Sequence, residues 1–427
     1  MEITLLGYIC FVSIILILLL QKNIYLMYAA VFFSGFSGSS VINVSSFSLQ
    51  PSYLFFFVFL VFELLQQKKL KIRINTLFFL FILYCIATVI FPFFLSDEKI
   101  EIMNQDGEYV RLGFSSSNIT QIAYLLFCAV FLNYILKYKN KDKLSGNIIK
   151  SFNYGFYAVV AICLYQIIAF RFNLPFDKLF RQSVHGNIQG TRIYGPCIEA
   201  SMLCYYLITA LIVVLQTGKG VLRCVFSVLS VFIGIYTYSS TYIVGAVLIL
   251  LVMAIRVILN IYKKYSWKTY IMLGIIVLVG ISACVIFREK IFYLVKELYE
   301  KLTQKNDSGL ERTETMLKMS VIGLKYPLGV GFGSARSKDL LSTWLCNIGI
   351  FGVLLFLLFV LDLALRAGSK RIKYLSPFIL VIILSFISVP EPYNLFIWFY
   401  LFYYYVKKSE NRNSVLSENL KYKTVSL

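Results

Sequence analysis

The feature that most constrains this chain is a series of long apolar segments separated by short polar loops. The segments fall at about 3–20, 24–41, 51–65, 77–95, 121–136, 152–170, 196–215, 224–238, 241–262, 270–287, 343–365, 375–389 and 393–406. A helix that crosses a bilayer needs about 20 mostly apolar residues, because lipid offers no partner to an exposed backbone group. Hydrophobic residues make up 59% of the 427 residues and charged residues only 15%. The series therefore predicts an all-α polytopic membrane protein with about 13 transmembrane helices, within a range of about 12 to 14.

Lysine and arginine are concentrated in every second loop of this series. The basic runs lie at 68–73, 137–143, 219–223, 263–268, 366–373 and 407–412. Cytoplasmic loops of membrane proteins carry such an excess, so the alternation predicts an external amino terminus and a cytoplasmic carboxyl terminus. The formal net charge of +20 then reflects orientation in the membrane, and we expect no nucleic-acid partner. Residues 1–408 form one transmembrane domain in this interpretation, and the polar tail 409–427 is cytoplasmic.

The remaining loops are expected outside, and three of them are long, at about 96–120, 171–195 and 288–342. Binding and catalytic groups concentrate in such loops. The second loop and the mouth of the segment after it hold a charged and titratable set, which is Arg171, Arg181, His185, Arg192 and Glu199. The third loop holds two arginines and a glycine-rich stretch, with Arg312, Gly323, Gly329, Gly331, Gly333 and Arg336.

Two arginine-bearing loops on one side of a membrane predict a site for an anionic lipid head group. The guanidinium group is planar and permanently charged, and it suits phosphate. Arg192 and Arg312 have no obvious fixed partner in the sequence, although a salt bridge or a lipid phosphate explains each arginine taken alone. Glycines let backbone N–H groups approach a phosphate or a sugar closely. The external loops contain no Asp-x-Asp pair, histidine tract or paired cysteines, so we expect no metal and no cofactor.

Two stretches of these loops resemble the O-antigen polymerase (Wzy) family, within the wider O-antigen polymerase and ligase superfamily. The first runs from Arg192 to Ser201 and is similar to the family's arginine-glycine-glutamate-proline-serine stretch, with Ala200 where the family often has proline. The second is Arg312 with ten residues to Gly323, followed by Pro327-x-Gly329-x-Gly331-x-Gly333 and by Gly349-Ile-Phe-Gly352. The resemblance covers the whole topology and implies a GT-C-like membrane glycosyltransferase.

The resemblance implies an enzyme of the bacterial cytoplasmic (inner) membrane whose active site faces outward. It would transfer a growing glycan from undecaprenyl diphosphate onto another lipid-linked repeat unit, in lipopolysaccharide or other polysaccharide biosynthesis. Arg192 and Arg312 would bind the charge on the departing diphosphate, and Glu199 would accept the hydroxyl proton, with Glu311, Glu314 or His185 as alternatives. The other arginines and the glycines would bind substrate. A chain-length regulator and a flippase would be partners, together with the lipid bilayer.

Two alternatives remain open. An O-antigen ligase differs in its acceptor, and the resemblance implies a functional histidine shortly after the glycine-rich turn in that branch, whereas residues 334–344 contain none. A lipid-linked oligosaccharide flippase or transporter places ionisable groups near the middle of the membrane. The charged residues inside apolar segments are Glu63, Arg256 and Asp362, and all three are expected toward the cytoplasmic ends, where long side chains reach water.

Overall fold

The structure of the protein is a computed structural model, and it describes residues 2–44, 47–66, 75–104, 107–138, 141–176, 192–249, 307–365, 372–388 and 392–406. Within these ranges the chain is mostly helical. Five helices are long and apolar enough to cross a membrane, which are Thr76–Phe94, Ser116–Leu136, Asp142–Phe172, Ala200–Thr217 and Leu340–Leu363. The described part of the chain therefore agrees with a helical membrane protein, and the count of about 13 spans stays a prediction.

The helices are numbered here in chain order. They are α1 (Leu5–Leu19), α2 (Ile24–Phe32), α3 (Pro51–Gln66), α4 (Thr76–Thr88), α5 (Phe91–Phe94), α6 (Ser116–Leu136), α7 (Asp142–Phe172), α8 (Ala200–Thr217), α9 (Gly220–Tyr236), α10 (Ser240–Ile249), α11 (Asp307–Lys325), α12 (Leu340–Leu365), α13 (Ile372–Ser388) and α14 (Leu395–Val406). The strands are β1 (Glu2–Ile3), β2 (Ile42–Val44), β3 (Phe47–Leu49), β4 (Glu101–Met103) and β5 (Tyr109–Arg111).

Two small antiparallel sheets depart from the all-α prediction. One joins β1, β2 and β3, with Asn43 opposite both Glu2 and Ser48. The other is a hairpin of β4 and β5, with Met103 opposite Tyr109. The first sheet explains why the helical part of the apolar segment 24–41 is short, since α2 continues only through a 3-10 helix at Phe33–Gly35 and the rest of the segment leads into β2. The hairpin occupies much of the predicted loop 96–120, and α6 begins at Ser116 within it.

Helix α12 is one apolar element in the sequence but two pieces in the structure. Gly349 has φ 62° and ψ −174°, which no helical residue adopts. Asp339 stands before the first piece, and its carboxylate accepts the N–H of Ser342 at 3.0 Å, as an N-cap residue does. The predicted segment 343–365 therefore begins earlier, at Leu340, and is interrupted inside.

Contacts between loops separate into two sets, one at each end of the bundle. One set lies at the end that carries both sheets, called the sheet end here, where Gly38 N donates to Pro196 O and Arg336 N donates to Met103 O, each at 2.9 Å. The second set comprises the Glu63–Lys137 ion pair at 4.0 Å and the hydrogen bonds Asn75 to Asp362 at 2.8 Å, Asn153 to Thr217 at 3.0 Å and Tyr403 to Gln216 at 2.8 Å. Every pair joins loops, helix ends or, for Asn153, the start of an apolar segment, and the alternation of basic runs puts the members of each pair on the same side. Which end faces the cytoplasm stays a prediction.

Large aromatic side chains fill the space between the helices. Phe152 of α7 stacks on Phe399 of α14 with ring centroids 4.1 Å apart. Phe78 of α4 stacks on Phe359 of α12 at 4.8 Å. Such rings bury much area and fix the helices relative to one another. The loops at the sheet end are therefore attached to helices that are tightly packed against one another.

Candidate functional site

The glycine-rich turn, residues 326–339, lies against the first piece of α12. Val330 N donates to Cys346 O, and Gly331 N donates to Asn347 O, both at 2.9 Å. The side chain of Asn347 binds Ala335 twice, accepting its N–H at 2.7 Å and donating to its carbonyl at 2.8 Å. The turn thus has a fixed path, because its backbone groups are paired with α12.

A second buried amide holds the turn from the other side. Asn118, in the first turn of α6, donates to Phe332 O and to Ser334 Oγ, both at 2.8 Å. Its Oδ1 accepts the N–H of Ser115 at 2.9 Å, which completes a capping box at the start of α6. Asn118 has an exposed fraction of 0%. Although Asn118-Ile-Thr120 has the form of a glycosylation sequon, its asparagine is part of the packing of the turn.

Close packing inside the protein explains the four glycines that the sequence assigns to substrate binding. A Cβ atom on any of them would lie under 3.0 Å from another segment, where the nearest atoms are Leu345 O (2.2 Å) for Gly323, Asn347 O (2.4 Å) for Gly329, Pro92 Cδ (2.5 Å) for Gly331 and Gln121 Cβ (2.8 Å) for Gly333. Three of them also have positive φ, with +86° at Gly329, +125° at Gly331 and +82° at Gly333. The neighbours that require glycine are protein atoms, and a part of these residues in substrate binding stays a prediction.

The hairpin of β4 and β5 packs on α11 and on the turn, so the first and third long loops form one assembly. A small apolar core joins them, made of Ile100, Ile102, Met103, Leu112, Met319, Val330, Ala335 and Cys346. Polar contacts add to it: Lys318 pairs with Glu101 at 3.1 Å, and Tyr326 donates to Glu98. The acidic first loop is therefore more than a solvated cap, since two of its carboxylates bind side chains of the third loop.

Arg312 lies in this assembly, in the first half of α11. It is half-buried and stands three residues before Thr315 and seven before Met319, the buried positions of the helix. No hydrogen bond or ion pair joins Arg312 to another residue within the described ranges. Its neighbour Glu311 is already paired, with Lys338 at 2.9 Å, while Glu314 is exposed.

Arg336 lines a small cleft at the sheet end. The cleft is also lined by Gln121, Phe332, Gly333, Ala335, Thr343, Trp344, Asn347, Pro392 and Tyr393, and the space inside it is about that of one water molecule. Tyr393 is fixed there by a stack on Tyr124 at 5.2 Å and by the hydroxyl of Tyr53, which donates to its carbonyl. No sequence pattern pointed to Gln121 or Tyr393, because neither belongs to a charged or glycine-rich stretch.

Arg192 has fixed partners, which corrects the interpretation of its loop. Its Nε donates to Thr237 O at 3.3 Å, and one Nη donates to Tyr238 O. These carbonyls follow the last turn of α9, where helix carbonyls lack partners and the helix dipole favours a cation. Arg192 therefore joins the second long loop to the connection between α9 and α10. A guanidinium group has five N–H donors, so these bonds leave others for a ligand.

Glu199 lies at the N-cap position of α8 and is exposed. Ser201 Oγ donates to its Oε2 at 3.1 Å. The chain before it is held by Gln166 of α7, whose Oε1 accepts the N–H groups of Tyr194 at 3.1 Å and Gly195 at 2.7 Å. A carboxylate at a helix start is favoured by the helix dipole, and this one is open to solvent.

The predicted site residues thus fall into two groups at the sheet end. Arg312, Arg336 and the glycines belong to the assembly of the first and third loops, and Arg192 and Glu199 belong to the second loop. A chain of contacts links the groups, from Pro196 to Gly38, from Ser37 to Gln50 at 3.0 Å, and from Tyr53 to Tyr393. In the described part of the chain, no hydrogen bond joins Arg192 to the assembly that holds Arg312. Arg171 is exposed in the last turn of α7, and Arg181 and His185 lie outside the described residues.

Asp339 is a buried carboxyl group that the sequence pattern did not assign to the site. Burial raises its pKa, while hydrogen bonds from Ser342 and Ser337 lower it, and the net direction is upward. Among the described residues, no group of three or more His, Cys, Asp or Glu side chains is placed to hold a metal ion. The chemistry that this end offers is arginine cations, exposed carboxylates and amides.

Comparison with known proteins gives no match for this chain. No family model matches it, and no curated protein and no solved structure is significantly similar to it.

Proposed function

We propose that this protein is a bacterial polysaccharide polymerase, a glycosyltransferase that uses a glycan donor linked to undecaprenyl diphosphate. One observation carries the proposal: Arg312 is held half-buried on the packed assembly at the sheet end, with no partner among the described residues. A cation in such a place is costly without an anion beside it. A lipid-linked diphosphate is an anion that reaches a protein from the membrane plane. The resemblance of the two loop motifs to the polymerase family supports the same substrate.

In the proposed reaction, the bond between the anomeric carbon of the donor glycan and its phosphate oxygen breaks. The electron pair stays on undecaprenyl diphosphate, whose growing charge Arg312 binds, and Arg192 contributes its remaining donors. A hydroxyl oxygen of the acceptor repeat unit forms the new bond to the anomeric carbon. Its proton passes to a carboxylate, for which Glu199 is the first candidate because it is exposed at the sheet end, and Glu314 is the second.

The contacts of the charged residues inside apolar helices give the transporter alternative no support. Glu63 pairs with Lys137, and Asp362 accepts a hydrogen bond from Asn75. Both pairs lie at the end opposite the sheets. Neither carboxylate is placed halfway along the bundle, where a transported ion or head group would need it. The third charged residue of this set, Arg256, lies outside the described residues.

The proposal is tested with purified protein in lipid vesicles. Repeat units linked to undecaprenyl diphosphate are the only donor and acceptor supplied, and a metal chelator is present. A ladder of polymers is expected. Arg312→Ala should abolish the ladder, and Arg312→Lys should restore part of it if charge matters more than bidentate geometry. Arg111→Ala is the matched control, because Arg111 lies on the same assembly and its side chain binds the backbone carbonyls of Ser96 and Asp97. Glu199→Gln should also lose activity, whereas Glu108→Gln on the exposed hairpin should not.

Three results would contradict the proposal. A ladder of normal length in Arg312→Ala would show that the reaction does not need Arg312, and the proposal would lose its main support. Activity that requires a lipid A core as acceptor identifies a ligase. A deletion strain that accumulates unextended lipid-linked units on the cytoplasmic side identifies a flippase, whereas a polymerase deletion leaves single repeat units on the final acceptor.

A further inference from the structure

Helix α11 carries a row of exposed apolar side chains along one side. Leu317, Val321, Leu324 and, just beyond the helix, Leu328 are 60%, 62%, 62% and 52% exposed. Their spacing of three or four residues puts them on one face. This set is called the apolar row. The opposite side of α11 is occupied, since Met319 is buried in the core shared with the hairpin. A helix in water rarely presents three large apolar side chains in line with a fourth just after its end.

The Leu328 end of this row, called its lower end here, lies close to the middle of a candidate membrane span. Helices α4 and α5 together form the apolar 19-residue span Thr76–Phe94. Tyr84 lies near its centre, about 12 Å along the helix from Thr76 and about 15 Å from Phe94 at 1.5 Å per residue. The Tyr84 hydroxyl donates to Leu328 O at 2.9 Å. The distance from Leu328 to the centre of that span is therefore about the length of one tyrosine side chain plus one hydrogen bond.

Helix α12 gives a second, independent measure of depth. Phe351 N donates to Pro327 O at 3.4 Å, and the same carbonyl fills the space beside Gly349. Gly349 precedes Asp362 by about 20 Å of helix, and Asp362 marks the end opposite the sheets through its bond to Asn75. With a hydrocarbon core of about 30 Å, Pro327 lies about 10 Å below the outer boundary if Asp362 lies at the inner one.

The other end of α11 stays with polar partners. Lys318 pairs with Glu101, and Tyr109 and Thr315 are hydrogen-bonded at 3.3 Å. Helix α11 therefore descends from the hairpin toward Tyr84. Lys325, near its lower end, has its ammonium group 5.2 Å from the ring of Tyr326, whose hydroxyl binds Glu98 of the hairpin region. A long lysine side chain that follows this ring can keep its charge near the surface.

We propose that α11 and the glycine-rich turn form a re-entrant segment, in which α11 enters the outer half of the bilayer and the turn returns the chain to the sheet end. The occupant of the apolar row is the acyl chains of the lipids. The two helices that contact the Leu328 end of the row also carry exposed apolar side chains, which are Leu83 of α4 and Phe351 and Leu354 of α12. Irregular backbone at this depth must be buried in protein or paired. Residues 329–335 are buried, and at the exposed Pro327 and Leu328 the carbonyls accept hydrogen bonds from Phe351 N and the Tyr84 hydroxyl. This inference does not depend on the proposed function.

Site-specific fluorescence quenching in lipid vesicles tests the inference. Full-length protein is used in a Cys224→Ser background, since Cys224 is an exposed cysteine, and the labelled background serves as the blank. A bimane label is placed at Leu324→Cys, at Val321→Cys and, as the control on the polar side of the helix, at Lys318→Cys. We expect acyl-chain doxyl lipids to quench the labels at 324 and 321 more strongly than iodide does, and the order of the two quenchers to reverse at 318.

Two outcomes would overturn the inference. If iodide quenches the labels at 324 and 321 as strongly as the label at 318, α11 lies in water. If neither quencher reaches them, protein covers the apolar row, and a crosslink between copies through the same cysteines would identify a second chain. The two positions are one turn apart, so a local distortion at one of them does not decide the result.

Discussion

The clamp between Asn347 and Ala335 provides the sharpest test of how the turn is held. Asn347→Ala removes two hydrogen bonds and leaves the N–H and the carbonyl of Ala335, both in a residue only 1% exposed, without partners. Each unsatisfied buried group costs about 1–3 kcal/mol. The expected loss is about 2–6 kcal/mol, with the lower half of that range favoured because water can enter beside the neighbouring cleft.

The assay is thermal unfolding of the purified protein in detergent, followed by tryptophan fluorescence. Extended to 427 residues, the scaling of smaller domains gives a shift of about 1–2 °C per kcal/mol, so a loss of about 2–4 kcal/mol should lower the midpoint by about 2–8 °C. Asn347→Asp should lose at least as much at neutral pH, because a carboxylate oxygen then faces the Ala335 carbonyl, and should recover as the carboxyl group is protonated in acid. Asn23→Ala is the control, since Asn23 makes no side-chain cap bond at the start of α2. Equal midpoints for Asn347→Ala and Asn23→Ala would refute the reasoning.

Three further predictions concern single positions. Gly329→Ala should destabilise the protein by about 1–3 kcal/mol from its positive φ alone, and more from the contact with Asn347 O, whereas Gly113→Ala, with open space around it, should be near neutral in the same melt. Because the pKa of Asp339 is raised in the folded state, its contribution to stability is fully present below the ordinary aspartate pKa and is lost as pH rises through the raised value; Asp339→Asn keeps the cap and should flatten the mildly acidic part of the stability profile. Glu108→Cys and Lys219→Cys should react with an impermeant thiol reagent from opposite sides of the membrane, and labelling from one side would refute the two-sided arrangement of loops.

Much of the helical architecture could be predicted from the series of long apolar segments, because lipid requires that the backbone groups of each segment pair within it. The pattern predicted 3–20 and 51–65, which the structure has as Leu5–Leu19 and Pro51–Gln66. It failed where an apolar run does not continue as helix, as after Gly35, because apolarity alone does not distinguish a spanning helix from a buried turn. The hairpin of β4 and β5 was missed since its strands have only three residues each, too few for an alternating pattern.

The candidate site was predictable in composition but not in its contacts. Basic residues and glycines identified the turn and the segment after Arg192, and both lie at the sheet end. The sequence could not tell whether the atoms close to Gly329 belong to a ligand or to the protein, and the structure places Asn347 there. It also could not show that Arg192 binds the carbonyls of Thr237 and Tyr238, because those partners are about 45 residues away and are backbone atoms, which carry no sequence signal.

The pairing of the turn with α12 has a consequence for how the protein is made. The N–H groups of Val330 and Gly331 find their acceptors on Cys346 and Asn347, which are synthesised later. Until those residues leave the ribosome, the turn has only water to bind, and an unpaired N–H group in hydrocarbon costs several kcal/mol. If α11 and the turn form the re-entrant segment proposed above, residues 307–339 must wait in an aqueous or translocon-shielded environment and enter the bilayer together with α12, so that membrane insertion treats 307–365 as one unit.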